Sequence, residues 1–291
     1  MGDLLCDATV IIPAHNAGAQ IDAQLAALAA QRYDGVWEVL VVDNGSTDDT
    51  AAVALRWAGR LPGLRVIRED RLGVNYARNA GARVARGEIL AFCDADDVAT
   101  PSWLGELVAA CADADIAGGY LDQAALNSPR AQASRLANPT DRLPLIMDWL
   151  PYATGACMAV RATVFGKLDG FDETYADGGG DDVELCLRAQ FAGHTVAFAP
   201  GAVMRYRLRA GLRQIARQQF GYGRADARLF RDFRGRGLTV NSTGEAARGW
   251  LGLLLRAYVL GDPDRAGLWV CEAAWRAGRL RGSLQQRVWC P

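Results

Sequence analysis

Four apolar runs, separated by polar turns, organise the first hundred residues. Ala8-Thr9-Val10-Ile11-Ile12-Pro13 is β-branched and closed by proline, which predicts a strand. Residues 20–31 carry Ile21, Leu25 and Leu28 at helical spacing, which predicts an amphipathic helix. Trp37-Glu38-Val39-Leu40-Val41-Val42 predicts a second strand. It ends in the turn Asp43-Asn44-Gly45-Ser46-Thr47-Asp48-Asp49-Thr50, whose small polar residues suit the start of a helix over 51–59. A short third strand is expected at 64–67. Residues 71–81 then lead through a helix to the apolar strand 88–92. Alternating strands and helices with short connections predict an α/β fold, a mostly parallel sheet covered on both faces.

The second half is less regular. Residues 121–144 hold Asn127, Ser128, Pro129, Asn138 and Pro139 and read as a variable loop. A strand entering a helix is expected over 154–165. Another helix, 183–191, follows a glycine-rich turn, with Asp181 and Asp182 placed to cap it. Residues 245–260 and 264–281 predict a helical pair broken at Gly261-Asp262-Pro263, with Trp250, Leu254, Trp269 and Trp275 packing on the rest of the chain or on another subunit.

Composition adds mainly exclusions. With 32 basic and 33 acidic residues in 291, bulk charge suggests no nucleic-acid partner. The 51% hydrophobic content supports a sizeable core. Seven scattered cysteines form no C-x-x-C pair, so neither a zinc site nor a disulfide framework is indicated. No apolar run reaches the ~20 residues of a membrane span, and Met1-Gly2-Asp3-Leu4-Leu5 does not read as a secretory signal. A cytoplasmic protein is expected, with peripheral contact at the inner face of a membrane as an option.

The candidate chemistry lies where strands end. Asp94, Asp96 and Asp97 follow the strand 88–92 within four residues. In open α/β sheets ligands bind beyond the carboxyl ends of the strands, and paired carboxylates there suit Mg²⁺ or Mn²⁺ bridging to a diphosphate. The same acids could simply cap the next helix. His15, Asp43 and Arg78 each have an equally plain reading, as loop, turn and solvated helix residues. As a set they outline a nucleotide-diphosphate site.

Val10-Ile11-Ile12-Pro13-Ala14-His15-Asn16, Val42-Asp43-Asn44-Gly45-Ser46-Thr47-Asp48, Gly73-Val74-Asn75-Tyr76-Ala77-Arg78-Asn79 and Asp94-Ala95-Asp96-Asp97 closely resemble, in order and spacing, the successive motifs of family 2 glycosyltransferases with the GT-A fold. The resemblance covers roughly residues 8–208. It implies a Rossmann-like GT-A sheet flanked by helices, with a C-terminal helical extension. Residues 1–208 would form the catalytic domain (nucleotide-sugar half 1–100, acceptor half 101–208) and residues 209–291 the helical region. Pro13, Ala14, His15 and Asn16 would line the base and ribose pocket. Asp43 would accept from a uracil-type imide, with Asn44 and Gly73 beside it. Arg78 would lie near base or phosphates, Asp94 and Ala95 near the ribose, and Asp96 on the metal. Thr154 and Gly155 fall in the segment between donor and acceptor halves. Gly178-Gly179-Gly180-Asp181-Asp182-Val183-Glu184-Leu185-Cys186-Leu187-Arg188 resembles the family's E-D-x-x-L-x-x-R motif, which implies Asp182 as catalytic base with Asp181 beside it.

One departure stands out. Where family members often carry a metal-ligating histidine, this chain has Met204-Arg205-Tyr206, so either Asp96, diphosphate and water complete the metal shell or Arg205 itself compensates phosphate charge. Ten arginines between 205 and 236, opposed by Asp226 and Asp232, suggest an acceptor-side helix or a solvated basic face. The expectation is an inverting transferase that moves sugar from a UDP- or dTDP-sugar to a hydroxyl of a saccharide, lipid-linked or small natural-product acceptor. A divalent metal is its cofactor, and a homodimer through the C-terminal helices is an option. The competing readings are a nucleotidyltransferase and a non-catalytic sugar-nucleotide-binding or scaffold protein.

Overall fold

The computed structural model describes residues 6–175, 179–262 and 264–291. The opening segment Met1 to Leu5, Gly178 of the glycine-rich turn and Pro263 of the helical break lie outside these residues. In chain order the elements are β1 (Cys6–Ala14), α1 (Ile21–Ala29), β2 (Trp37–Asp43), α2 (Thr50–Leu55), β3 (Arg65–Arg68), α3 (Val74–Val84) and β4 (Gly87–Cys93). Next come β5 (Val98–Ala99), α4 (Trp103–Ala110), β6 (Ile116–Asp122), α5 (Pro129–Ala133), β7 (Leu145–Ile146), β8 (Leu150–Pro151), β9 (Cys157–Arg161) and α6 (Ala162–Lys167). The chain closes with α7 (Asp181–Phe191), β10 (Val196–Arg205), α8 (Leu212–Phe233), α9 (Thr243–Leu255) and α10 (Ala266–Gln286).

Eight strands form one sheet in the order β3-β2-β1-β4-β9-β6-β10-β5. β1, β2, β3 and β4 pair in parallel, as the strand–helix alternation predicts. The acceptor half departs from it, because β9 runs antiparallel between β4 and β6. Strand period decides the two cores. Val10, Ile12, Val39, Val41, Ile89 and Ala91 face one layer, packed by Ile21, Leu25 and Leu28 of α1 and Trp103 of α4. Ile11, Leu40, Val42, Leu90 and Phe92 face the other, packed by Ala77 of α3, Phe165 of α6 and Leu185 of α7.

A third cluster joins Val183 and Leu187 of α7 to Leu229 and Phe233 of α8, and so seats α8 beside the sheet's acceptor end. α10 lies against α8 at very close range. A Cβ added at Gly223 would sit 2.0 Å from the Trp275 carbonyl oxygen, and one at Gly278 would sit 2.2 Å from that of Phe220. The helical pair expected over 245–260 and 264–281 is present as α9 and α10, and α10 packs chiefly along α8, because glycines on both helices let their backbones approach. Trp269 still reaches back, its Nε1–H donating to the Leu253 carbonyl at 2.9 Å, while Leu254 is exposed. Among the described residues no helix is long and apolar enough to cross a membrane.

Candidate active site

The ends of β1, β2 and β4 bound a cavity of about 390 Å³. Pro13, Ala14, His15, Asn16, Asn44, Ala95 and Asp96 line it. The turn after β1 is held by its own polar groups. His15 Nδ1 lies 2.7 Å from the Asn44 carbonyl, and Asn16, at φ 49°, accepts the Thr47 N–H at 2.8 Å. Asn44 borders the cavity, but its side chain is committed elsewhere. Its amide donates to the carbonyls of Glu69 (3.0 Å) and Arg71 (2.7 Å), and its oxygen accepts the Gly73 N–H (2.8 Å). Asn44 and Gly73 thus brace the wall that carries α3. Asp43 ends β2, where Oδ1 accepts the Ser46 N–H at 3.1 Å.

The acidic cluster is matched by arginines from after β10. Asp96 pairs with Arg209 at 2.8 Å, and the Arg207 Nε–H donates to the Asp96 carbonyl at 2.9 Å. Asp97 is sealed in; its Oδ1 accepts the Arg207 N–H at 2.8 Å, and its Oδ2 is buried without a partner. Burial and neighbouring Asp94 push the Asp97 carboxyl up to about 9. Arg205, expected to serve here, is exposed at the end of β10 and lines neither this cavity nor the larger one described next. In the Arg-x-Arg-x-Arg run the fold selects Arg207 and Arg209, because the chain turns over Asp96 only after β10 ends.

One oxygen from each of Asp94, Asp96 and Asp97 lies within 4.8 Å of the others. Three hard oxygen donors this close, on a cluster that includes a carboxylate with an orphaned buried oxygen, fit a divalent cation of the Mg²⁺ or Mn²⁺ type. Met204, in the segment that lacks the histidine, is buried in the core and is no such donor.

A larger cavity, about 840 Å³, opens beside the first and shares Val74, Asp94 and Arg209 with it. At their junction lies Arg78, 5% exposed. Its guanidinium meets Asp181 at 2.7 Å and Asp94 at 3.1 Å, and so ties the tip of β4 to the first turn of α7. Asp181 was expected as a helix cap. The cap position is instead Gly180, at φ 83°, and Asp181 turns inward to Arg78. Burial, opposed by Arg78 but reinforced by Asp182 and Asp94, raises the Asp181 carboxyl to about 7. One arginine shared among these acids leaves an excess of negative charge, which a proton relieves.

Thr154 and Gly155 line the larger cavity beside Asp182. The Gly155 N–H donates to Asp182 Oδ2 at 2.9 Å. A Cβ on Gly155 would lie 2.7 Å from the Arg78 guanidinium, so glycine is what allows this approach. Asp182 is partly exposed in the same cavity. The far wall comes from α8 and α10, through Gln218, Tyr222, Asp226 and Trp275. Of the residues singled out in the sequence, Asp94, Arg78, Gly155, Asp181 and Asp182 come together here. Arg207, Arg209, Asp226 and Trp275 were missed.

The family model "Glycosyl transferase family 2" matches residues 9–169. The chain belongs to glycosyltransferase family 2. It is 30% identical to glycosyltransferase AglE of Haloferax volcanii over 227 residues, 76% of this chain and 73% of that one. It is 31% identical over 214 residues to the validoxylamine A glucosyltransferase of Streptomyces hygroscopicus subsp. jinggangensis, 62% of this chain and 50% of that enzyme. Across the first relatives matched, this chain spans between 24% and 73% of their length. The structure is similar to the mannosyltransferase PcManGT of Pyrobaculum calidifontis, solved with GDP-Man and Mn²⁺. The TM-score is 0.64 at 21% identity, over 97% of this chain and 90% of that one. The fold is therefore GT-A, and the nucleotidyltransferase reading is set aside.

Proposed function

We propose that this chain transfers a sugar from a nucleotide-diphosphate sugar to an acceptor hydroxyl, with inversion and with Asp182 as general base. The observation that carries the reading is the continuity of two cavities across Asp94 and Arg209, with Asp182 on the larger one. The smaller cavity takes the nucleotide and its diphosphate; the larger takes the acceptor. The division proposed near residue 208 then separates the GT-A sheet from helices that complete the acceptor wall.

An acceptor hydroxyl is a weak nucleophile and must lose its proton as it attacks the anomeric carbon. Asp182 takes that proton, and its carboxylate is oriented by the Gly155 N–H. Attack from the acceptor side expels the diphosphate from the opposite face, which inverts the anomeric centre. Arg207 and Arg209 stand where the departing charge develops, and preorganised positive groups there lower the barrier. Asp96, with Asp94, would hold a divalent cation that supplies further charge neutralisation at the diphosphate. For the base we infer UDP or dTDP, read by Asp43 at the tip of β2.

The test pairs binding with turnover. Asp182→Asn keeps size and hydrogen bonding but cannot take the proton. Calorimetry with UDP, dTDP and GDP should show nucleotide affinity unchanged, UDP or dTDP binding tightest, while sugar transfer falls ~10²–10⁴-fold. Wild-type turnover in the variant removes Asp182 as base. Nucleotide binding without transfer by the unaltered chain favours the non-catalytic binder.

A further inference from the structure

The far wall of the acceptor cavity carries a carboxylate that the proposed chemistry does not use. Asp226 of α8 receives the Trp275 Nε1–H on Oδ2 at 2.9 Å. Its other oxygen, Oδ1, has no donor among the described residues and is not one of the buried, unpartnered atoms, so it stays open on a residue that lines the cavity. The pair is rigidly built. The close contact at Gly223 fixes the backbone of Trp275 against α8, one turn from Asp226, and Arg279 lies over the indole ring at 4.8 Å.

The neighbours of Asp226 indicate what it is for. Burial raises its carboxyl to about 6, against the charge of Arg279 and the Trp275 hydrogen bond. Tyr152, Tyr206 and Tyr222 line the same cavity, with Gln218 and Gln219. Asp182 and Asp226 line this one cavity together. Of the arginines nearby, Arg135 donates to Gln218 at 2.7 Å, Arg217 is exposed, and Arg279, whose charge acts on Asp226, is buried outside the cavity lining and donates to Cys290 Sγ at 3.1 Å. None of the three donates to Asp226, so a phosphate placed here would meet the open carboxylate oxygen. A hydroxyl would give the open oxygen a charge-assisted hydrogen bond. Aromatic faces interleaved with carboxylate and amide groups suit a ring that carries several hydroxyls and apolar C–H faces.

We propose that Asp226, positioned by Trp275, is an acceptor-specificity residue. It accepts a hydrogen bond from a hydroxyl of a neutral polyhydroxylated ring, other than the hydroxyl that Asp182 deprotonates. This rests on the reading of the larger cavity as the acceptor site.

The full chain, saturated with UDP, is titrated with p-nitrophenyl α- and β-pyranosides, myo-inositol, glucose 1-phosphate and inorganic pyrophosphate, followed by saturation-transfer NMR. At least one neutral ring compound should bind the unaltered chain. Asp226→Asn, which can still accept from Trp275, should weaken that binding tenfold or more and leave UDP affinity within twofold. Trp275→Phe should weaken it several-fold. Where the compound is also a substrate, the Asp226→Asn loss should fall on acceptor KM and not on kcat. Equal probe affinity in Asp226→Asn and the unaltered chain would overturn the proposal. So would binding confined to the phosphorylated probes, or no probe binding while UDP binds. Asp226-dependent ring binding by a chain that never transfers sugar would retain this site and sink the transferase reading instead.

Discussion

The two cavities that meet at Asp94 and Arg209 are built by different means. The smaller is made from the ends of neighbouring parallel strands, and most of its lining comes from three short segments, 13–17, 44 and 94–96. The larger draws on residues from Val74 to Trp275 and is closed by helices outside the sheet. The donor side inherits its shape from strand pairing, which the local sequence dictates. The acceptor side depends on how α7, α8 and α10 dock. Arg78 is the joint between them: it binds Asp94 of one side and Asp181 of the other.

That joint is where the comparison can be broken. Arg78→Met would leave Asp94 and Asp181 without their shared cation in a buried site. Removing one partner of a buried ion pair costs about 3–5 kcal/mol. Urea unfolding near pH 8 should show a loss of that order. The loss should shrink near pH 5, as protons neutralise acids already raised by burial. A cost below ~1 kcal/mol would mean that the two sides are held together by something else.

Gly155→Ala probes the same joint from the acceptor side. The new methyl would lie 2.7 Å from a guanidinium pinned by two carboxylates, which cannot move aside. Overpacking of this kind costs about 1–3 kcal/mol. The double variant with Arg78→Met should cost less than the sum, since the clash goes with the arginine. Additive costs in thermal melts would place the Gly155 effect away from Arg78.

The smallest effect concerns Asp181 and pH. Its carboxyl, raised to about 7, binds a proton more tightly in the folded than in the unfolded chain. Between the ordinary aspartate range and neutrality the native state therefore holds more protons, and stability falls as pH rises. Asp181→Asn removes that term. Its unfolding free energy should decline less from about pH 5 to about pH 7, by ~2 kcal/mol at most. Parallel pH profiles for the two proteins would show that Arg78 alone keeps Asp181 ionised.

Much of the donor side was legible in the chain, because strands alternate and acids follow apolar runs within a few residues. Asp94 and Asp96 stand where that pattern puts them, beyond β4. The chain is less legible where a side chain has two uses and only its neighbours decide between them. Asn44, which borders the cavity, also holds the 69–73 loop, and Asp181, expected as a helix cap, holds Arg78. Arg205 was chosen from an alternating arginine run whose register at the cavity depends on where β10 stops. For Asp226 a signal existed: it is one of two acids among ten arginines between 205 and 236. Nothing local pointed to Trp275 as its partner, 49 residues away.

By itself the sequence determined the apolar alternation that makes the sheet, the polar turns that end its strands, and the order of motifs that marks the family. Those are short-range properties, set by side-chain period and by backbone preferences over a few residues. The tertiary structure decided which arginines face Asp96, that Arg78 joins two acids 87 residues apart in the chain (Asp94 and Asp181), and that α10 lies on α8 to close the acceptor cavity. Those contacts depend on helix docking and on where glycines permit close approach, and they bring together residues that no window along the chain contains.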